Sequence, residues 1–380
     1  MYQVIPGVSL KRAVLLTGLL MMMVFPGMLF AGTLPPVKTV FIIMEENHDW
    51  SDILFSPSAP YINQTLLPIS SYCSQYYNPY YNHPSEANYV WLEAGSNLGI
   101  VDDGDPYTNH QSTTNHLTSL LNRAGISWKA YMEDFSGGYV PLTLTNRYTY
   151  SHNPMVFFDD ITGTNDLYYP YGVAHIRPIT ELAGDLASNN VARYNFITPN
   201  LCGDMHDPCG GDPISHGDTW LSYYIPLITN SAAYSNGGAI FITWDESETS
   251  DGPIGMIVLS PLARGGGYSN SVYYTHSSTL RTFQEIFNVG PLLRDAANAT
   301  DLIDLFTVYQ IKGMTNLSNG ACQFIVDGTT AGKTNIVERS ADLLSWTPIS
   351  TNVAATFSLT ITDPAATGFR SRFYRSHQLP

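Results

Sequence analysis

Residues 37–50 read VKTVFIIMEENHDW. From Val37 to Met44 the run is almost continuously apolar and rich in β-branched side chains, the pattern of a parallel strand buried on both faces. Charge then arrives abruptly at Glu45-Glu46-Asn47. In open α/β sheets ligands bind outside the carboxyl ends of strands, so oxygen groups at this point are placed to hold a hard cation. A solvated turn, or a helix cap at Asn47, is the plain alternative.

Working outward, comparable runs occur at Tyr194–Thr198, Ala239–Trp244 and Gly255–Ser260. Between them lie helical patterns. Thr114 to Ala124 sets Leu117, Leu120 and Leu121 on one face and stops at Gly125, and Pro178–Ala187, Thr219–Thr229 and Ser277–Phe287 read similarly. Strands alternating with helices predict an α/β fold: a mostly parallel sheet covered by helices on both faces. After about Gly313 the chain turns Thr-, Ser- and Asn-rich, with short strand-like pieces at Gln323–Val326, Asn335–Arg339, Phe357–Ile361 and Arg372–Arg375. The expected organisation is therefore a main domain over 37–310, a linker over 311–320 and a small all-β, sandwich-like domain over 321–380.

Only 13% of the 380 residues are charged, with a formal net charge of -15. Such a chain repels nucleic acid and anionic membrane surfaces, and any phosphate chemistry would need locally supplied positive charge. At the N-terminus Lys11-Arg12 precede an apolar run to Phe30, then Ala31-Gly32. Residues 1–32 read as an export signal, with an uncleaved anchor as the alternative, so the expected location is secreted or periplasmic. No later stretch is apolar enough to span a bilayer. Cys202 and Cys209 bracket a short Gly- and Pro-containing loop and fit a local disulfide in an oxidising space; Cys73 and Cys322 lie far apart.

Four further clusters carry chemistry. In His83-Pro84-Ser85-Glu86, Ser85 opens a helix running toward Gly95, where a bound phosphate would meet free backbone N–H groups; a simple N-cap is the competing reading. Asp245-Glu246 follow the Ala239–Trp244 strand as the earlier acids follow theirs, and two acids at a buried strand end need a partner, which a cation shared with Glu46 and Asn47 would provide. Asp204-Met205-His206-Asp207 and Thr275-His276 add histidines, each weak alone.

Taken in order, FIIMEENHDWSDIL, HPSEANYVWLEAGS, ISWKAYMED, SHNPMVFFDDI, NFITPNLCGDMHD, GDTWL, IFITWDE, SPLARGG and THSSTLRTFQEIF resemble the phosphoesterase family that contains bacterial phospholipases C and acid phosphatases, within the alkaline-phosphatase-like superfamily. The likeness covers about Val37 to Phe306. It implies one or two divalent metal ions, with Glu46, Asn47, Ser85, Asp245 and Glu246 at the first; Asp204, His206 and His276 correspond to residues that hold a second ion in two-metal relatives and face the phosphate in one-metal relatives. It also implies Ser85 as nucleophile and, more weakly, His152 as a substrate contact. Glu45 is read as a neighbour. In the tail, NIVERSADLLSWTPI and TDPAATGFRSRFYR resemble β-rich appendages of exported bacterial proteins.

The expected activity is hydrolysis of phosphate monoesters through a phosphoserine. A phospholipase C-like phosphodiesterase is the alternative, disfavoured because few apolar runs could dock on lipid. A non-catalytic surface binding protein is the third reading, opposed by an intact nucleophile and acid set. Tyr76, Tyr77, Tyr80 and Tyr81 could line a pocket for an organic leaving group, although ordinary loop packing explains them as well.

Overall fold

The opening apolar run forms a central strand. A computed structural model describes residues 34–379 apart from 146, 249–250, 308–309, 330–331, 356–357 and 367–371; in it this strand spans Thr39–Glu45 and is buried at every residue after Thr39. It pairs in parallel with Tyr194–Thr198 on one side and Gly238–Trp244 on the other. Trp128–Met132 and Ile176–Pro178 continue the parallel order past Tyr194–Thr198. On the opposite side follow Met256–Leu259, Ser71–Cys73 and Tyr268–Asn270, completing eight strands. The expected export signal, 1–32, lies outside the described residues, and among those described no helix is long and apolar enough to cross a membrane.

One strand departs from expectation. Met256–Leu259 runs antiparallel to Gly238–Trp244. Residues 245–255 are too few for the crossover of a dozen or more residues that a parallel return requires, so the chain simply doubles back.

The helices follow local signals. Ser85–Ala94 ends at Gly95 in the left-handed region at φ 72°, where an added Cβ would stand 2.5 Å from the Leu293 carbonyl oxygen. Pro213–Thr229 begins earlier than the sequence reading placed it, because Asp212 accepts the Ile214 N–H and Pro213 fits the first helical position. His276–Phe287 starts with reciprocal bonds between Thr275 and Ser278. The Pro178–Ala187 stretch resolves into a strand end, a tight turn and a helix over Leu182–Ala187.

The tail is all β, as its composition indicates. Gln310–Asn316, Cys322–Asp327 and Ser358–Asp363 form one antiparallel sheet, and Thr347–Val353, Thr334–Ser340 and Phe373–Gln378 another. Cys322, Phe324, Val326, Val337 and Ile361 make their own apolar cluster. Residues 311–316, read from sequence as linker, are strand: they pair with Cys322–Asp327.

A buried polar network fixes the far end of the Ser85–Ala94 helix. Glu93 Oε1 accepts from the Thr118 N–H at 2.6 Å, and His116 bridges Glu93 (3.1 Å) and Asp160 (2.9 Å). Burial alone would lower the His116 pKa, but Asp160 and Glu93 together raise it above its ordinary 6.5; the Asp160 value falls below 3.8 because hydrogen bonding to His116 outweighs its own burial. The histidine contribution is thus complete below about 6.5 and fades as pH rises through the higher folded value. The aspartate contribution is present above about 3.8 and is lost in stronger acid. We expect His116→Gln to cost about 3 kcal/mol or more at pH 5 and distinctly less at pH 8. Urea denaturation at both pH values checks this, and an equal loss at both would refute the linkage.

Candidate active site

Strand register brings two acidic pairs together. Glu45 is aligned with Trp244, and the Asp245 N–H donates to the Glu45 carbonyl at 3.0 Å, so the residues following each strand end emerge side by side. The Asn47 N–H donates to Asp245 Oδ1 at 3.0 Å, and the Glu46 N–H to the Asp204 carbonyl at 2.7 Å. Ser85, buried at the first turn of its helix, donates to Glu46 Oε2 at 3.0 Å, while Tyr89 donates to Glu46 Oε1. At that helix end the Glu86 N–H donates to Asp103 at 3.0 Å.

Asp204 accepts the His206 N–H at 2.9 Å on one oxygen and faces His152 Nδ1 at 3.2 Å with the other. His152 Nε2 stands 3.4 Å from Glu46 Oε2, and its ring stacks on Tyr89. Glu46, His152 and Asp204 therefore offer ligand atoms all within 4.8 Å of one another. The Cys202–Cys209 disulfide closes the loop that carries Asp204 and His206. His206 itself is partly exposed and pairs with Asp207 at 2.9 Å.

Two predicted residues sit differently from the rest. Glu246 Oε2 is engaged by Asn88 at 2.7 Å and by His83 at 2.8 Å. The His276 ring is wholly buried, with Nε2 2.6 Å from the Asp245 carbonyl and Nδ1 3.1 Å from the Tyr76 hydroxyl. Because a carbonyl only accepts, Nε2 carries the hydrogen, Nδ1 accepts from Tyr76, and Tyr76 can accept in turn from Thr279 at 2.7 Å. His276 thus braces the Asp245 backbone from behind. Residues the sequence reading missed include His83, Asn88, Tyr89 and Asp103. The signal for two of them was available: Asn88 and Tyr89 follow Ser85 by three and four residues, so the helix period puts all three on one face.

The electrostatics of this cluster call for a cation. Burial raises the pKa of Glu46, Asp204, Asp245 and Glu246, and carboxylate neighbours push Glu46 and Glu246 up further. Burial lowers His152 and His276 to about 4, leaving both rings neutral. Among the described residues no Lys or Arg pairs with any of these acids. Two contacts are mismatched as they stand. A neutral His152 can donate to only one of Glu46 and Asp204, so a lone pair faces the other carboxyl. The Asn47 side-chain oxygen faces Glu46 Oε2 at 3.1 Å and Asp245 Oδ1 at 2.9 Å, a spacing that inverting the amide would convert into two hydrogen bonds. With the amide inverted these groups satisfy one another without an ion; with its oxygen inward they have the roughly 3 Å spacing of oxygens bound to one cation at about 2.1 Å. The donor set fits a hard divalent cation.

This chemistry has known relatives. Residues 55–290 match the Phosphoesterase family model. The chain is 27% identical over 279 residues to a phosphatidylinositol-3-phosphatase of Mycobacterium tuberculosis, covering 73% of this chain and 86% of that protein. It is 26% identical over 299 residues to a probable acid phosphatase of Kluyveromyces lactis, covering 72% of this chain and 66% of that one. Among solved structures, one of a protein in the alkaline phosphatase superfamily from Vibrio parahaemolyticus aligns with a TM-score of 0.49 at 9% identity, over 84% of this chain and 85% of that one. The protein is a hydrolase acting on phosphoric ester bonds. It belongs to the Phosphoesterase family, as the motif resemblance implied.

Cation binding can be read without turnover. After chelator treatment and dialysis, adding Mg2+, Mn2+, Ca2+ or Zn2+ in turn should raise the melting temperature with at least one ion. The gain should approach about 2.7 kcal/mol at a hundredfold excess over Kd. Glu46→Gln combined with Asp245→Asn should abolish the shift. A parent protein indifferent to all four ions would contradict the site.

Proposed function

We propose that this phosphoesterase is an exported, metal-dependent phosphomonoesterase of acid phosphatase type, working through a phosphoserine on Ser85. The observation that carries the reading is the 3.0 Å contact of Ser85 Oγ with Glu46 Oε2, at a helix N-terminus and beside oxygens that lack a counter-charge. A divalent cation held by Glu46, Asn47, Asp245 and the serine oxygen would lower the hydroxyl pKa and offset charge on the phosphate. The names of the relatives, a phosphatidylinositol-3-phosphatase and acid phosphatases, favour a monoester. The apolar leader and the Cys202–Cys209 disulfide favour export.

In the first half-reaction the Ser85 proton passes to Glu46 Oε2 and Oγ attacks phosphorus in line. The bond from phosphorus to the leaving oxygen breaks, and His206 protonates the departing alcohol. In the second, water attacks the phosphoserine and gives its proton to His206. The released Ser85 oxygen recovers the proton from Glu46, and inorganic phosphate departs. His152, neutral and held by Asp204, orients groups by hydrogen bonding. Glu246 and His276 are positioning residues, acting through Asn88 and the Asp245 backbone.

Turnover of a chromogenic phosphate monoester should exceed that of a choline-bearing phosphodiester, stop with chelator and return with added cation. Faster diester cleavage would replace the monoesterase reading. Ser85→Ala should lower the rate by about four orders of magnitude or more; the N-cap position is Pro84, and the Ser85 hydroxyl caps no backbone N–H, so no loss of a cap accompanies the substitution. Acid quench of the parent with labelled substrate should trap phosphate on Ser85. Near-parental activity in Ser85→Ala would sink the covalent route.

A further inference from the structure

A cleft of about 660 Å³ lies apart from the Ser85 cluster, toward the opposite end of the same helix, where Trp91 and Gly95 line one side and Thr275 and Ser278, at the start of the His276–Phe287 helix, another. Trp91 follows Ser85 by six residues, roughly 9 Å along the helix axis. None of the groups assigned above to phosphoryl transfer lines this space.

Its chemistry is mixed in a specific way. Tyr80 and Tyr273 are 71% and 62% exposed, and each ring lies against another tyrosine, Tyr81 at 3.9 Å and Tyr77 at 5.1 Å. Both rings line the cleft, and the same cleft is lined by one guanidinium and one carboxylate. Arg294 is fixed by Nη1, which donates to the Ala94 and Asn115 carbonyls at 2.9 and 2.8 Å, and among the described residues its Nε and Nη2 hydrogens have no acceptor. Its backbone holds a positive φ of 39°, a costly conformation outside glycine that tends to persist where a side chain must be aimed. Asp295 is held by Ser277 at 2.7 Å, itself bonded by the Trp91 indole at 2.8 Å. The Asn298 amide, beside Asp295, can both donate and accept.

We propose that this cavity binds a neutral, hydroxyl-rich ring compound: a glycan unit. An anion would be opposed by Asp295 and an ammonium ion by Arg294, whereas the pair together suits a ligand of no net charge. Sugar hydroxyls donate and accept at once, matching an acceptor-only carboxylate, a donor-only guanidinium and an amide. The apolar C–H face of a pyranose covers an exposed tyrosine ring. The volume lies within the range of ligand pockets and has room for more than one ring. The site is separate from the phosphoryl-transfer reading and does not depend on it.

The test uses the full chain with maltotriose, cellotriose, mannotriose and the N-acetylglucosamine trimer, and adenosine as a flat-ring comparison. Binding is read by saturation-transfer NMR and calorimetry. At least one trisaccharide should bind with Kd of about 1 mM or tighter. Tyr273→Ala and Asp295→Asn should each weaken it about tenfold. Tyr273→Ala, an open surface position, should leave melting temperature and phosphate-ester turnover unchanged, so it remains decisive if Asp295→Asn fails to fold. The proposal is overturned if no trisaccharide binds, if binding survives both substitutions, or if adenosine binds and the sugars do not.

Discussion

Two parallel strands end level with one another, one in Glu45-Glu46 and the other just before Asp245-Glu246. That alignment is the constraint on which the site rests. Hydrogen-bond register sets Glu45 against Trp244, so Glu46 and Asp245 have no freedom to separate. Carboxylates gathered in a dry interior are strongly unfavourable unless something compensates. The surroundings answer with Tyr89 and Ser85 on Glu46, the Asn47 N–H on Asp245, and Asn88 with His83 on Glu246. What hydrogen bonds leave uncompensated is met by protonation, which burial favours, or by a cation.

The Ser85–Ala94 helix is the other half of the arrangement, and it is tied along its whole length. Asp103 meets its first turn, Tyr89 joins it to the strand-end acids, and Glu93 anchors its last turn to Thr118 and His116. Close backbone approach at Gly95 fixes where it stops. A side chain on so constrained an element, Ser85 included, is held in one position before any ligand arrives, which removes part of the reorganisation that a reaction at it would otherwise need.

Much of this was legible from residue order. The apolar runs that became Thr39–Glu45, Tyr194–Thr198 and Gly238–Trp244 stand out because both sheet faces are covered, which removes the polar alternation of a half-exposed strand. Gly95 and Gly125 marked helix ends because they take the left-handed backbone those ends require. Less legible were Trp128–Met132, interrupted by Lys129, and Ser71–Cys73, too short to show a period. The direction of Met256–Leu259 hinged on the length of the preceding connection rather than its own composition. At the site, the acids and Ser85 announced themselves by position after strands and before a helix. The postures of His276 and Glu246 did not, because they depend on Tyr76, Asn88 and His83, partners distant in sequence. His83, Asn88 and Tyr89 lay in view beside Ser85, but only a side-chain geometry reveals which of them reaches an acid.

The Cys202–Cys209 bridge ties one loop to the redox state of its surroundings. Asp204, His206 and Asp207 all lie inside its small ring, and closing a ring of this size removes about 2.5 kcal/mol worth of unfolded-chain freedom. The sheet, the helix and the Glu46–Asp245 contact need no oxidant to form. The wall bearing His152's partner and His206 is held by that bridge as well as by the Asp204 backbone bonds to Glu46 and Asn200. With the sulfurs reduced, the same scaffold would carry one slacker side, so the redox state of the surroundings bears on the loop without touching the sheet.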